Sequence, residues 1–130
     1  MSYIGDYTNS YDIRGHEIVI TAPARFDEKT GKVMADLELD DYAAKLALEK
    51  YRKQFDIVSP EDIKNLRHYW DFSQAKLAEV LGWNVATVAI YEAGGLPSVR
   101  DNRLLKILIS SPKVMQKFID DSKKNNYKNL

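Results

Sequence analysis

SQAKLAEVLGWNVATVAIYEAG, residues 73–94, carries the signals of two short helices with a glycine between them. Ser73 is a good N-cap, its hydroxyl able to accept from the free backbone N–H groups of a first helical turn. Ala75, Leu77, Ala78 and Leu81 follow it at helical spacing. Gly82 can take the left-handed conformation that ends such a helix, and Asn84 can cap a second one whose inward positions are Val88 and Tyr91. Two short helices about a tight glycine turn are the layout of a helix-turn-helix, whose second helix reads the major groove of DNA.

Outward from this stretch, Ser59-Pro60 is a second helix start, with Pro60 where a missing N–H costs nothing and Glu61 and Asp62 at the positive helix end. Ile63, Leu66 and Trp70 form the inner face of that helix. Asp101 to Ile109 and Ser111 to Asp121 read as two later helices, with Pro112 as a start signal. Upstream, Asp36 or Asp40 opens a helix to about Phe55, with Leu39, Ala43, Leu46, Ala47 and Tyr51 near one face. YDIRGHEIVITA, residues 11–22, predicts two strands about a turn at Arg14-Gly15, with Ile18 and Ile20 on one face and Glu17, Val19 and Thr21 on the other. A second hairpin is expected around the Asp27 to Gly31 turn, flanked by Phe26 and Val33. The expected fold is mainly α with a small N-terminal β-hairpin region. A flexible arm covers residues 1–10, a hairpin-plus-helix domain 11–56, and a five-helix helix-turn-helix domain 57–130.

The 130 residues, 45% hydrophobic and 29% charged, place the chain among soluble globular proteins. There is no cysteine and there are two histidines, His16 and His68, so a thiolate zinc site and a four-ligand site from these types are both excluded. No apolar run reaches the length of a membrane span, and the polar start MSYIGDYTNS lacks the order of a signal peptide, so the cytoplasm is the expected location. Basic and acidic residues both number 19, but unevenly: residues 1–59 hold 8 basic and 11 acidic, residues 60–130 hold 11 and 8. The positive excess lies with the helix-turn-helix, where phosphate neutralisation would need it.

In this order of segments the chain resembles the MqsA-like antitoxins of type II toxin-antitoxin operons. The resemblance is carried by YDIRGHEIVI, KLALEKYRKQ, SPEDIKNLRHYWDFSQAKLAEVLGWNVATVAIYEAGG and LPSVRDNRLLKIL. Its specific part is the pattern IxxLRxxxxxSQxxLAxxLG followed by TVxxYExG. The resemblance implies a small β domain before a lambda-repressor-like helix-turn-helix, and a homodimer that represses its own operon and neutralises a partner toxin through its N-terminal part. The family's N-terminal domain holds zinc through cysteine pairs, one of which would fall near Arg25 to Gly31. None is present, so the zinc role is not carried over. Either apolar packing of Ile13, Ile18, Ile20, Phe26 and Val33 holds the sheet in its place, or this region does not form the hairpins.

In the second helix of such a motif, base edges are reached by the first residues and by one a turn later, here Asn84, Val85, Ala86, Thr87 and Ile90. Most are apolar and offer contacts to thymine methyls, whereas paired hydrogen bonds to guanine need Arg or Lys and those to adenine need Asn or Gln. Gln74, Lys76, Arg100 and Arg103 are the candidate phosphate contacts; each is equally well read as a solvated surface residue. Ala75, Leu77, Val88, Tyr91 and Leu105 are expected in the core. Glu92 is expected to tie neighbouring backbone, since a carboxylate facing DNA would repel phosphate. Enzyme readings fare poorly. Asp40-Asp41 and Glu61-Asp62 point about 100 degrees apart on a helix, neither histidine has a nucleophile beside it, and no phosphate-cradling glycine loop occurs. No cofactor is expected. A second reading makes Val85, Ala86, Ala89 and Ile90 an exposed patch for a partner protein, in an inhibitor or adaptor of a mobile element. The homodimer contact is expected on Leu104, Leu105, Ile107, Leu108 and Ile109.

Overall fold

In a computed structural model that describes residues 1–128, the chain divides into two compact units, one ending at Asp56 and the next beginning at Ile57. In the first, strands β1 (Ser2–Ile13), β2 (His16–Asp27) and β3 (Val33–Met34) form an antiparallel sheet in that order, followed by helix α1 (Leu37–Phe55). Arg14 and Gly15 both have positive φ, 52° and 83°, the two-residue turn whose twist matches that of the paired strands. Asp12 Oδ1 accepts the Gly15 N–H at 2.9 Å. From Ile13↔His16 the ladder runs without a skipped residue to Ser2↔Asp27.

The first ten residues, expected as an arm, are thus mostly strand. Their order rests on ladder bonds and cross-strand pairs such as Tyr3–Phe26, rings stacked at 5.4 Å, and Thr8–Thr21, hydroxyls 2.7 Å apart. Such a strand buries little of itself, so apolar periodicity does not reveal it. In β2 the alternation is as the sequence predicts: Ile18 and Ile20 are buried, Glu17, Val19 and Thr21 exposed. Ala22 and Ala24 extend the buried row, which packs with Ala47 and Tyr51 of α1 as the core of this unit. Phe26 pairs with Val33 across the second turn, but Val33 is 44% exposed, so it does not help to fill that core.

Asp36 caps α1, accepting the Leu39 N–H at 3.0 Å and pairing with Arg25 Nε at 2.8 Å. The Arg25 hydrogen bond is the largest influence holding its carboxyl below the usual range. Asp36→Ala is expected to lower the melting temperature, and Asp36→Asn, which keeps the cap and loses the charge, to lower it less. Thermal unfolding followed by circular dichroism distinguishes the two, and equal losses would reject the cap as the main contribution.

The second unit holds α2 (Pro60–Tyr69), α3 (Gln74–Leu81), α4 (Val85–Glu92), α5 (Val99–Ser110) and α6 (Pro112–Lys128). With α1 the described residues therefore hold six helices, five of them in this unit, so the chain is mainly α with a small N-terminal sheet. Ser59 and Asp62 form a reciprocal capping box at the α2 start. Ile63, Leu77, Val88, Leu105, Leu108 and Met115 are almost wholly buried in one core, with Trp70, Phe72 and Trp83 packed on its edge. Ala75 departs from expectation by facing solvent; the 100° step turns Leu77, Ala78 and Leu81 inward, with Val80, and leaves position 75 outside. The late helices are consumed by the same core. Leu105 and Leu108 are buried and Leu104 packs against it, so Ile107 and Ile109 are what remains exposed of the expected dimer contact. No helix among the described residues is long and apolar enough to cross a membrane.

Candidate nucleic-acid interface

Ser73 Oγ accepts the Lys76 N–H at 3.0 Å and opens α3. At the other end Gly82, φ 72°, turns the chain left-handed; its N–H reaches the Glu79 carbonyl at 3.2 Å and the Trp83 N–H reaches Ala78 at 2.8 Å. These are the two bonds of a Schellman stop. Asn84 then caps α4, its Oδ1 accepting the Ala86 N–H at 2.9 Å. Leu77 of α3 and Val88 of α4 share the buried core, and Trp83 meets Tyr91 edge-to-face at 5.8 Å. A second Schellman stop ends α4, with the Gly94 N–H on Tyr91 O and the Gly95 N–H on Ile90 O. A Cβ at position 95 would lie 2.5 Å from Ile90 Cγ2 and 3.1 Å from its carbonyl oxygen, so any larger residue there must displace Ile90.

A buried ion pair holds α4 to α2. Arg67 donates through Nε to Glu92 Oε2 at 3.0 Å and through Nη2 to Oε1 at 2.9 Å, while Nη1 donates to the Phe72 carbonyl at 3.0 Å. Glu92 is 5% exposed. Burial pushes its carboxyl up, but Arg67, with hydrogen bonding from Gln74 and the charge of Lys64, outweighs that and leaves it below its ordinary value. The same Glu92 hydrogen bond raises Arg67. The expectation that Glu92 ties neighbouring backbone is corrected: its carboxylate binds the guanidinium of α2, 25 residues earlier in the chain. At the far end of α4, the Tyr91 hydroxyl donates to Asp101 Oδ2 of α5 at 2.6 Å; burial first, then Asp101, raises the phenol.

Of the candidate base readers, Asn84, Val85, Ala86 and Ile90 are exposed and Thr87 half-buried, all at or within α4. Asn84 is less available than its residue type implies, because its carbonyl oxygen serves as the cap. A paired contact to adenine needs that oxygen together with the amide. Gln74 is half-buried and engaged with Glu92 through its side chain, so only its backbone N–H at the α3 N-terminus is left for the phosphate contact expected of it. Lys76 lies 3.4 Å from Glu79 in a partly exposed pair. Arg100 and Arg103 are exposed near the α5 start, which the Tyr91–Asp101 bond joins to the C-terminal end of α4. Asn84 stands at the opposite end of that helix, about 12 Å away along an eight-residue axis. The structure thus gathers four of the nine candidates on α4 with a fifth, Asn84, as its N-cap, ties Gln74 to that helix, and sets Arg100 and Arg103 at its other end. Arg67 was not among the candidates; the LR preceding the SQ pattern is the signal that carries it. Neither a protein-family model nor a curated protein matches this chain.

Proposed function

We propose that the chain is a DNA-binding transcriptional repressor, most closely of the antitoxin kind that controls its own operon and neutralises a partner toxin. The observation that carries the DNA-binding part is the α3–α4 pair itself. Its second helix is clamped by Arg67–Glu92 and by the Leu77–Val88 core, and it presents Val85, Ala86 and Ile90 outward with Thr87 half-buried among them. A helix held this rigidly is suited to lie in a groove, where the apolar residues meet thymine methyls and Lys76 and Arg103 meet phosphate. Sequence preference then leans on T-rich steps and DNA shape more than on paired hydrogen bonds. A single small motif covers too little DNA for useful affinity, which favours a homodimer on a palindromic operator. The antitoxin part rests on the sequence resemblance, with the N-terminal unit as the toxin-binding half.

Fluorescence anisotropy with the DNA upstream of its own gene, titrated over a range of salt, is the test. Binding that weakens steeply with salt is expected. Lys76→Ala with Arg103→Ala should weaken it by a similar factor for all sequences and reduce the salt slope by about 2. Asn84→Ser, which keeps the cap, should change affinity little, since the amide is a poor reader once its oxygen is committed. The exposure of Val85, 46%, and Ile90, 58%, favours a second reading in which α4 docks a protein partner. Absence of DNA binding at low salt, together with loss of a protein partner in Ile90→Glu, would replace the first reading with that one.

A further inference from the structure

The sheet of the first unit ends on one side at β1, a twelve-residue strand whose outer edge has no neighbour among the described residues. The two-residue turn makes Ile13–His16 a closely hydrogen-bonded pair, so odd-numbered residues of β1 bond inward to β2 and even-numbered ones aim their N–H and C=O groups outward. Three details agree with this phase. The Ser10 N–H, on the outer edge, is met by the Asn9 side chain. Pro23, which has no N–H to give, pairs with an even-numbered residue, Asp6. The Asp27 N–H turns away from β1 to the Lys32 carbonyl. Long edges are usually blunted by proline, a bulge or charged side chains; β1 has neither proline nor bulge, and its only charges are Asp6 and Asp12.

The face beside that edge is also incompletely covered. Tyr3, Tyr7 and Tyr11 stand opposite Phe26, Ala22 and Ile18, and therefore on the side of the sheet where α1 packs. Tyr3 and Tyr7 are nonetheless 47% and 36% exposed. A cleft of about 310 Å³ lies there between Tyr7, Tyr11, Ile20, Ala22, Met34 and Ala43. The unit's own buried set is small, two isoleucines, three alanines and one tyrosine, so added cover is worth much to it.

We propose that a second copy of the chain fills this edge, β1 pairing antiparallel with β1 about a two-fold axis at Tyr7 and continuing one sheet across both copies. The tyrosine spacing selects that register. With Tyr7 opposite its copy, Tyr3 faces Tyr11 of the second copy and Tyr11 faces its Tyr3, giving an unbroken row of aromatic pairs. Asp6 then lies opposite Thr8 and Asp12 opposite Ser2, so no two carboxylates face each other. The outward phase requires a shift of two in the residue sum. One such shift sets Asp6 against Asp6, and the other sets Tyr11 against Gly5 and removes the tyrosine pairs. This dimer does not depend on what α4 binds.

The chain contains no cysteine, which allows a clean test. Tyr7 falls at a non-hydrogen-bonded pair, where Cα atoms approach to about 4.5 Å, within disulfide reach. Mild oxidation of Tyr7→Cys is expected to give a covalent dimer. Tyr3→Cys alone should not cross-link, whereas an equal mixture of Tyr3→Cys and Tyr11→Cys should. In sedimentation the unsubstituted full chain should run at twice the chain mass, and Tyr7→Lys, which sets two ammonium groups together at an exposed site, should run as monomer with unchanged circular dichroism. Thr8→Pro, which removes an outward N–H and keeps the backbone bonds to β2 while losing the Thr8–Thr21 hydroxyl contact, should do the same, with Thr8→Ala, which loses that contact alone, remaining a dimer. A monomeric unsubstituted chain at its highest soluble concentration, a dimer that survives Tyr7→Lys, or cross-linking of Tyr3→Cys as fast as Tyr7→Cys would overturn the proposal.

Discussion

Glu92→Ala is expected to destabilise the helical unit by about 3–5 kcal/mol, the cost of stranding one member of a buried ion pair. The Arg67 guanidinium would keep its bond to the Phe72 carbonyl and lose two donors' worth of acceptor at once, with its side chain only 16% exposed. Removing both charges, in Arg67→Met with Glu92→Leu, should recover much of the loss, because the uncompensated charge and not the missing pair is the larger cost. Urea unfolding followed by the fluorescence of Trp70 and Trp83, both at the edge of this core, measures each variant. The effect has a pH signature. Since the folded Glu92 carboxyl lies below its ordinary 4.5, its contribution is complete above that value and is lost as pH falls through the folded one. The gap between Glu92→Ala and the unsubstituted chain should therefore be widest near neutrality and close in acid. A gap that is constant with pH would show that the carboxylate contributes by packing and not by charge.

Leu105→Ala is the second large effect, about 2–5 kcal/mol from lost burial and the cavity left behind. Leu105 is 0% exposed and sits in the same core as Leu77, Val88 and Met115, leaving the site little room to collapse. Ile107→Ala, two positions on and 49% exposed, should fall within about 0.5 kcal/mol of no change. The contrast is a direct check on which late-helix residues serve this unit's interior. Comparable losses at 105 and 107 would mean that position 107 is buried in solution, as a dimer contact on α5 would make it.

The parts of the chain that were legible in advance are those with local causes. Ser73, Gly82 and Asn84 act on backbone groups within a few residues of themselves, so their roles as cap, stop and cap follow from residue type and spacing. The same holds for the Arg14-Gly15 turn and for the alternation through Ile18 and Ile20. What escaped depends on partners distant in sequence or on backbone alone. Strand β1 exposes most of its side chains and is ordered by its ladder to β2, so hydropathy gives it no pattern to show. Glu92 could be recognised as structural rather than DNA-facing, but nothing local to YEAG points to Arg67 in particular. Asn84 shows a third kind of gap: the residue suits both capping and base reading, and only the geometry shows that one use claims the oxygen the other needs. Ala75 matched the helical spacing and still faces out, because Leu77, Ala78, Val80 and Leu81 set the inner face on the opposite side of α3.

The order in which this chain is synthesised gives the N-terminal hairpin an unusual start. Its twelve-pair ladder is complete in sequence by Asp27, yet the residues of α1 that cover Ile18, Ile20, Ala22 and Ala24, chiefly Ala47 and Tyr51, are added later. At ordinary elongation rates that interval lasts roughly 1–5 s, far longer than the microseconds a hairpin needs to form. Two strands without cover are marginal in water. The hairpin therefore forms and opens many times before its helix arrives, and the arrival of α1 is the event that captures it.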